Sequence, residues 1–249
     1  MTAVVYRIGR AGWALSKAHR AEFPEHGTHL ERYAARFSAV EINSSFYRPH
    51  RPATYARWAA SVPADFSFAV KVPKAITHQA RLVETEQLLD AFVAEVTSLG
   101  PKLGCLLVQL PPSLAYECVV ADRFFDAVRA RFDGAVALEP RHPSWFVTSV
   151  TVQLTAFQVA RVAADPAPVP AAAAPGGWNG VAYYRLHGSP RIYYSSYEDA
   201  FLDEIAARMR EAAARARAVW CIFDNTALDA ATPNALGLLE RRRRRALGA

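Results

Sequence analysis

Ala135-Val136-Ala137-Leu138-Glu139-Pro140-Arg141 begins as an apolar β-strand and ends on charge. Side chains alternate across a strand with period two, so Val136 and Leu138 share one face and Ala135, Ala137, Glu139 and Arg141 the other. In a barrel one of these faces meets the helices and the other fills the lumen. Val181–His187 repeats the pattern, with Ala182, Tyr184 and Leu186 outward and Tyr183, Arg185 and His187 inward. Ala39–Asn43 gives Val40 and Ile42 outward, with Glu41 and Asn43 inward. Ser67–Val72 gives Phe68 and Val70 outward, with Ser67, Ala69 and Lys71 inward.

Outward from these runs, β-rich segments alternate with helical ones along the chain. Eight strands are predicted: Tyr6–Gly9, Ala39–Asn43, Ser67–Val72, Cys105–Leu110, Ala135–Arg141, Arg161–Asp165, Val181–His187 and Val219–Asp224. Helices are predicted over Leu30–Phe37, Ala53–Ala60, Thr85–Leu99, Ala121–Phe132, Val147–Phe157, Glu198–Ala214 and Pro233–Arg245. The sixth connection, Pro166 to Gly177, reads PAPVPAAAAPGG, a Pro/Ala-rich loop in place of a helix. Strict β/α alternation implies a parallel sheet, and eight units in 249 residues favour a closed (β/α)8 TIM barrel, one domain over residues 1–249. The alternative, a doubly wound sheet, often carries G-x-G-x-x-G after its first strand. Here that turn is Gly9-Arg10-Ala11-Gly12, and no P-loop is present.

The chain is 52% hydrophobic, enough for a sizeable core. No run approaches the ~18 apolar residues of a membrane helix, and Met1 to Gly12 has no secretory h-region. Cys105, Cys118 and Cys221 form no C-x-x-C pair and read as reduced thiols, so a cytoplasmic location with no membrane partner is expected. Net charge is +6, but Arg241 to Arg245 supplies five of the cations, and without them 24 basic residues face 23 acidic ones. A near-neutral body disfavours nucleic-acid backbone binding, and cations at a helix C-terminus complement its dipole.

Seven strands end in ionisable or amide side chains, among them Glu41, Lys71, Gln109, Glu139, Arg141, Asp165, Arg185, His187, Asp224 and Asn225. Barrel lumens are ordinarily apolar, and active sites lie at the carboxyl ends of the strands. Lys71, Arg141 and Arg185 in one mouth suit a carboxylate or phosphate. Glu139 and His187 are the candidates for acid–base catalysis, with Glu41 and Lys71 beside them. Gln109, Asn43, Asp165, Asp224 and Asn225 are candidate substrate contacts, as are the loop residues His142, Tyr47, Trp145 and Tyr194. His78, Phe46, Tyr193 and Tyr197 lie in similar loops. A self-satisfied ion network, for example Lys71 with Glu139, is the structural alternative. A Schiff base at Lys71 is a weaker alternative, given the cations around it and the lack of a cofactor signature. No cofactor is expected. The carboxylates and His187 could supply metal ligands, but interleaved cations weigh against a metal centre.

The chain resembles the YecE-like family of barrel proteins, also called domain of unknown function family seventy-two. The matching residues run in order: Ile8-Gly9…Gly12-Trp13, Val40 to Tyr47, Phe68 to Pro73 with Ile76-Thr77-His78, Gln109 to Ser113, Glu139 to Trp145, Asp165, Tyr184 to Gly188, Tyr193-Tyr194…Tyr197, Asp224-Asn225-Thr226 and Asn234-Ala235. The resemblance implies the barrel and a site at its strand ends, and it carries no established reaction. Two departures fall at that site: Arg10-Ala11 stands where the family has Thr-Ser, and Asp224 where it usually has Asn. Three functions follow as expectations: an enzyme acting on a small anionic molecule by acid–base chemistry; a nucleic-acid-processing protein taking a phosphodiester in the same pocket; and a non-catalytic ligand-binding barrel.

Overall fold

A computed structural model of the chain describes residues 4–246. Its strands are β1 (Val5–Ala11), β2 (Ala39–Ile42), β3 (Ser67–Lys71), β4 (Leu103–Gln109), β5 (Val136–Glu139), β6 (Val159–Arg161), β7 (Ala163–Asp165), β8 (Gly176–Gly177), β9 (Val181–Leu186) and β10 (Ala218–Phe223). Its helices are α1 (His29–Ala34), α2 (Ser44–Tyr47), α3 (Pro52–Ala60), α4 (Glu86–Val96), α5 (Cys118–Arg129), α6 (Thr148–Ala156), α7 (Asp199–Ala213) and α8 (Ala231–Ala246).

The ten strands form one sheet in the order β7-β9-β10-β1-β2-β3-β4-β5-β6-β8, parallel except for the β6–β8 pair. The sheet curls into a nearly closed barrel. Its sixth segment explains how. Val159–Arg161 pairs with β5 and Ala163–Asp165 pairs with β9, so consecutive pieces of one segment reach both ends of the sheet. At the break the Val162 N–H still donates to the Leu138 carbonyl at 2.8 Å. The single predicted run Arg161–Asp165 is therefore two short strands with different neighbours. After β7 the chain makes a 3-10 turn at Pro170–Ala173 and then β8, antiparallel to β6. A Gly-Gly pair has little strand propensity, and nothing in the sequence announces β8.

Strand parity sorts the core into two layers. Phe68, Val70, Leu106, Val108, Val136, Leu138, Ala182, Tyr184, Leu186, Val219 and Phe223 pack outward with the helices. Ala39, Ala69, Ala137 and Ala160 face the lumen opposite the large side chains Tyr183 and Trp220, whose rings stack at 5.8 Å. Small residues on one wall thus make room for aromatics on the other. Gly9 allows the closest strand approach: a Cβ there would lie 1.9 Å from the Ala39 carbonyl oxygen. The outward layer is continuous with the buried faces of α1 and α3 to α8. Among the described residues no helix is long and apolar enough to cross a membrane, and the three cysteines are unpaired.

Both tight entry and exit of helices have local causes. Thr28 and Glu31 form a reciprocal capping box that starts α1. α8 carries the arginine run: Arg241 pairs with Asp199 and Asp203, and Arg242 lies over the Tyr6 ring, while the side chain of Arg245 lies outside the described residues. At least these two arginines serve packing against α7 and β1.

Candidate functional site at the strand ends

The lumen-facing parity of β2, β5 and β9 carries Glu41, Glu139 and Arg185 to the same level, just above the apolar layer. All three are buried. Arg185 lies at the centre. Its Nη2 meets Glu41 Oε1 at 2.7 Å and Asp224 Oδ2 at 2.9 Å, and its Nη1 meets Glu139 Oε2 at 3.0 Å. Its Nε donates to Glu41 as well. Three carboxylates therefore use every side of this guanidinium. They outweigh the effect of burial and hold the Arg185 pKa well above its ordinary value. Tyr183, two residues earlier on β9, donates its hydroxyl to Glu41 Oε2 at 2.9 Å. Gln109 is the register partner of Glu139, and its amide donates to Glu139 Oε2 at 3.2 Å.

His187 follows β9 and is fully buried. Its Nδ1 is 3.0 Å from Asp224 Oδ2, and its Nε2 is 2.8 Å from Glu139 Oε1 and 2.9 Å from Arg141 Nη2. With Nδ1–H donated to Asp224, Nε2 has two alternatives. It can carry a proton and donate to Glu139, or present its lone pair to Arg141. The ring is thus fixed in orientation, with a partner on each nitrogen. Arg141 also pairs with Glu139 at 2.6 Å, but its side chain is 17% exposed against 1% for Arg185, and its Nε has no partner. Burial would raise the Glu139 carboxyl. Arg185, His187 and Arg141 overcome that and hold it well below the usual carboxylate range. Asp224 is likewise lowered against burial, chiefly by Arg185 and then His187.

Lys71 ends β3 beside this network. Among the described residues it has no ion pair. Its Nζ lies over the Phe46 ring at 4.1 Å. The Lys71–Glu139 pair offered as an example of the ion-network alternative does not form; that network is built on Arg185 instead. Burial, reinforced by Arg185, pulls the Lys71 amine down to about 8, against the opposing effect of Glu41, Glu139 and Asp224. The Ser45 hydroxyl in α2 donates to the Lys71 carbonyl at 2.7 Å and fixes the strand end. Lys71 in turn lowers His78, whose pKa falls mainly through burial.

Glu41, Gln109, Glu139, Arg141, Arg185, His187 and Asp224 thus form one connected network with Lys71 at its edge. The other candidates lie elsewhere. Asp165 falls on the outward parity of β7 and accepts the Tyr197 hydroxyl at 2.7 Å. Asn225 donates to Ser195 and Asn234. His142 accepts from the Ser144 amide, and the buried Trp145 indole donates to Leu114. Tyr47 is exposed, and Tyr194 stacks against Arg191. Asn43 and Ser44, with residues 10–16 and 226–229, line a separate cavity of about 870 Å³ on the same rim. Arg10 belongs to that cavity's wall: it pairs with Asp229 and Thr232 and does not reach the network. Of the two family departures, only Asp224 enters the network. Of the loop aromatics, Tyr193 does reach the network. Its ring meets His187 edge-on at 6.0 Å, and its backbone at φ 71° lets its N–H reach the His187 carbonyl. Tyr183 and Phe46 also acquire roles that follow from register and loop course. Among the described residues, no three His, Cys, Asp or Glu side chains are placed to hold a metal ion.

An α/β barrel-like sheet whose strand ends carry a buried acid–base and arginine network defines the class. The family described as Protein of unknown function DUF72 matches residues 7–248, and the chain belongs to that family. Protein YecE of Escherichia coli K12 is 34% identical over 151 residues, 58% of this chain and 55% of that protein. Protein YunF of Bacillus subtilis is 29% identical over 164 residues, 61% of this chain and 56% of that one. The chain therefore matches about half the length of these curated relatives. Crystal structures of DUF72 proteins share the fold. The one from Thermotoga maritima superposes with a TM-score of 0.80 at 21% identity, covering 96% of this chain and 99% of that one. One from Enterococcus faecalis gives 0.79 at 21% identity, covering 95% and 94%.

Proposed function

We propose that the protein is an enzyme acting on a small anionic molecule, carboxylated or phosphorylated, by acid–base chemistry at the strand ends of an eight-position barrel. In this account β6 and β7 together fill the sixth position and β8 is an accessory strand. The observation that carries it is His187, held by Asp224 on one side and offered to Glu139 or Arg141 on the other. Arg141, the partly exposed arginine of the network, binds the anion. Lys71 supplies a second positive charge or an amine, and Glu41 with Arg185 forms the frame beneath. His187 exchanges the proton, with Glu139 as its partner, and Asp224 orients its ring. A cytosolic setting fits the three unpaired cysteines.

The test is incubation with a panel of small phosphorylated and carboxylated compounds, followed by proton NMR. Turnover of one chemical class by the wild type, lost in His187→Gln, is the expected result. Phosphate binding with no turnover across the panel would make the protein a ligand-binding barrel instead.

A further inference from the structure

Only four of the chain's 29 basic residues are lysines: Lys17, Lys71, Lys74 and Lys102. Lys17 and Lys74 are exposed, and Lys102 donates to the Ala59 and Val62 carbonyls. A chain that otherwise places arginine nearly everywhere has a lysine at the one lumen-facing end of β3. An arginine stays charged under all ordinary conditions, whereas a lysine can become a neutral amine. Lys71 is also buried with no ion pair among the described residues, although three carboxylates lie nearby on β2, β5 and after β10. Those carboxylates, Glu41, Glu139 and Asp224, are committed to Arg185, Arg141 and His187. Two guanidiniums leave one of the three negative charges unmatched, yet Lys71 forms no ion pair with it among the described residues, and burial with the neighbouring Arg185 favours the amine form.

We propose that Lys71 is a nucleophile that forms an imine with the carbonyl carbon of a small aldehyde or ketone bearing a carboxylate or phosphate. This rests on the acid–base account above and narrows its substrate class to anionic carbonyl compounds. The neutral Nζ adds to the carbonyl carbon as the C=O π pair moves to oxygen, which takes a proton from His187 Nε2. The carbinolamine then loses that oxygen as water, using a proton that the nitrogen releases through His187. Overall a carbonyl compound, the neutral Lys71 amine and the proton donated through His187 give a protonated imine, water and neutral His187, with no change of oxidation state. Arg141 holds the anionic group, and the Phe46 ring supports the cationic nitrogen of the imine as it does the ammonium. The charged groups that act most strongly on Lys71 are Arg185, Glu41, Glu139 and Asp224, with His78 beside it and Arg141 and His187 in the same network through Glu139.

The experiment uses the full chain with glyoxylate and sodium cyanoborohydride at pH 7.5, with peptide mapping of the carboxymethyl-lysine formed. A pKa of about 8 gives a far larger amine fraction than an ordinary lysine has, partly offset by lower basicity, so Lys71 should be modified about tenfold faster than Lys17 or Lys74. Arg141→Met should slow Lys71 selectively and leave Lys17 and Lys74 unchanged. Labelling of Lys71 no faster than that of the exposed lysines overturns the proposal. Inorganic phosphate binding, measured in parallel by calorimetry, separates the two levels. Arg141-dependent binding without selective Lys71 labelling defeats the imine alone, and absence of both defeats the acid–base account as well.

Discussion

Lys71→Met should make the protein more stable at neutral pH. The side chain is buried, so the ammonium is held at about 8 against an ordinary lysine's 10.5. That difference corresponds to about 3 kcal/mol of unfavourable free energy carried by the charged form in the folded state. Methionine fills nearly the same volume without charge. The attraction of the Phe46 ring for the ammonium, up to about 2 kcal/mol, is lost and offsets part of the gain, leaving a net stabilisation of about 1 to 3 kcal/mol. The pH dependence has a definite sign. Between about 8 and 10.5 the unfolded chain binds more protons at this residue than the folded one, so wild-type stability rises with pH there. The advantage of the variant should therefore shrink by about 2.5 kcal/mol from pH 7 to pH 10. Urea denaturation of both proteins at the two pH values reads this directly, and titrations common to both cancel. A variant less stable than wild type at pH 7, or a difference that does not change with pH, would show instead that Lys71 is a well-compensated cation.

Arg185→Met should do the opposite. It strips three buried carboxylates of their shared partner and should cost about 3–5 kcal/mol in urea denaturation; a loss below about 1 kcal/mol would mean the network is not structural. Asp224→Asn removes a carboxylate that raises the Lys71 pKa, so selective Lys71 labelling should extend to lower pH; an unchanged pH profile would show that Asp224 does not act on the amine. Asp224 and Glu139 are both held below their ordinary carboxylate values, so the stability they give is present at neutral pH and lost as pH falls into the acid range. Acid unfolding should accordingly begin at a different pH in Asp224→Asn than in wild type, and coincident acid transitions would contradict this assignment.

Much of the site was legible because period two on a strand is a strong constraint. Glu41, Lys71, Glu139 and Arg185 fall on the lumen side by parity alone, and the apolar residues between them sort correctly into outward and inward layers. What parity cannot give is partner choice. Whether Arg185 is free for a ligand or enclosed by Glu41, Glu139 and Asp224 depends on the register and stagger of four strands, which no local pattern encodes. The same gap explains Lys71, which meets the Phe46 ring and makes no pair with Glu139. Loop candidates were less legible still. Trp145 and His142 follow β5 closely in sequence, yet the 3-10 turn at Pro143–Trp145 directs the indole into the core toward Leu114. Asp165 ends a short strand whose parity, set by the break at Val162, turns it outward. Ten strands stand where eight were expected, in part for a related reason: β6 and β7 are one run in composition and two in pairing, and the Gly-Gly strand β8 is the other addition.

Anion binding by the partly exposed Arg141, beside His187, is open to calorimetric titration of wild type and Arg141→Met with inorganic phosphate at pH 7 and low salt. Saturable binding to wild type, weakened at least about tenfold in Arg141→Met, corresponds to the loss of one charge-assisted contact worth about 1.4 kcal/mol or more and is the predicted result. No binding to wild type, or binding that Arg141→Met leaves unchanged, would contradict the account.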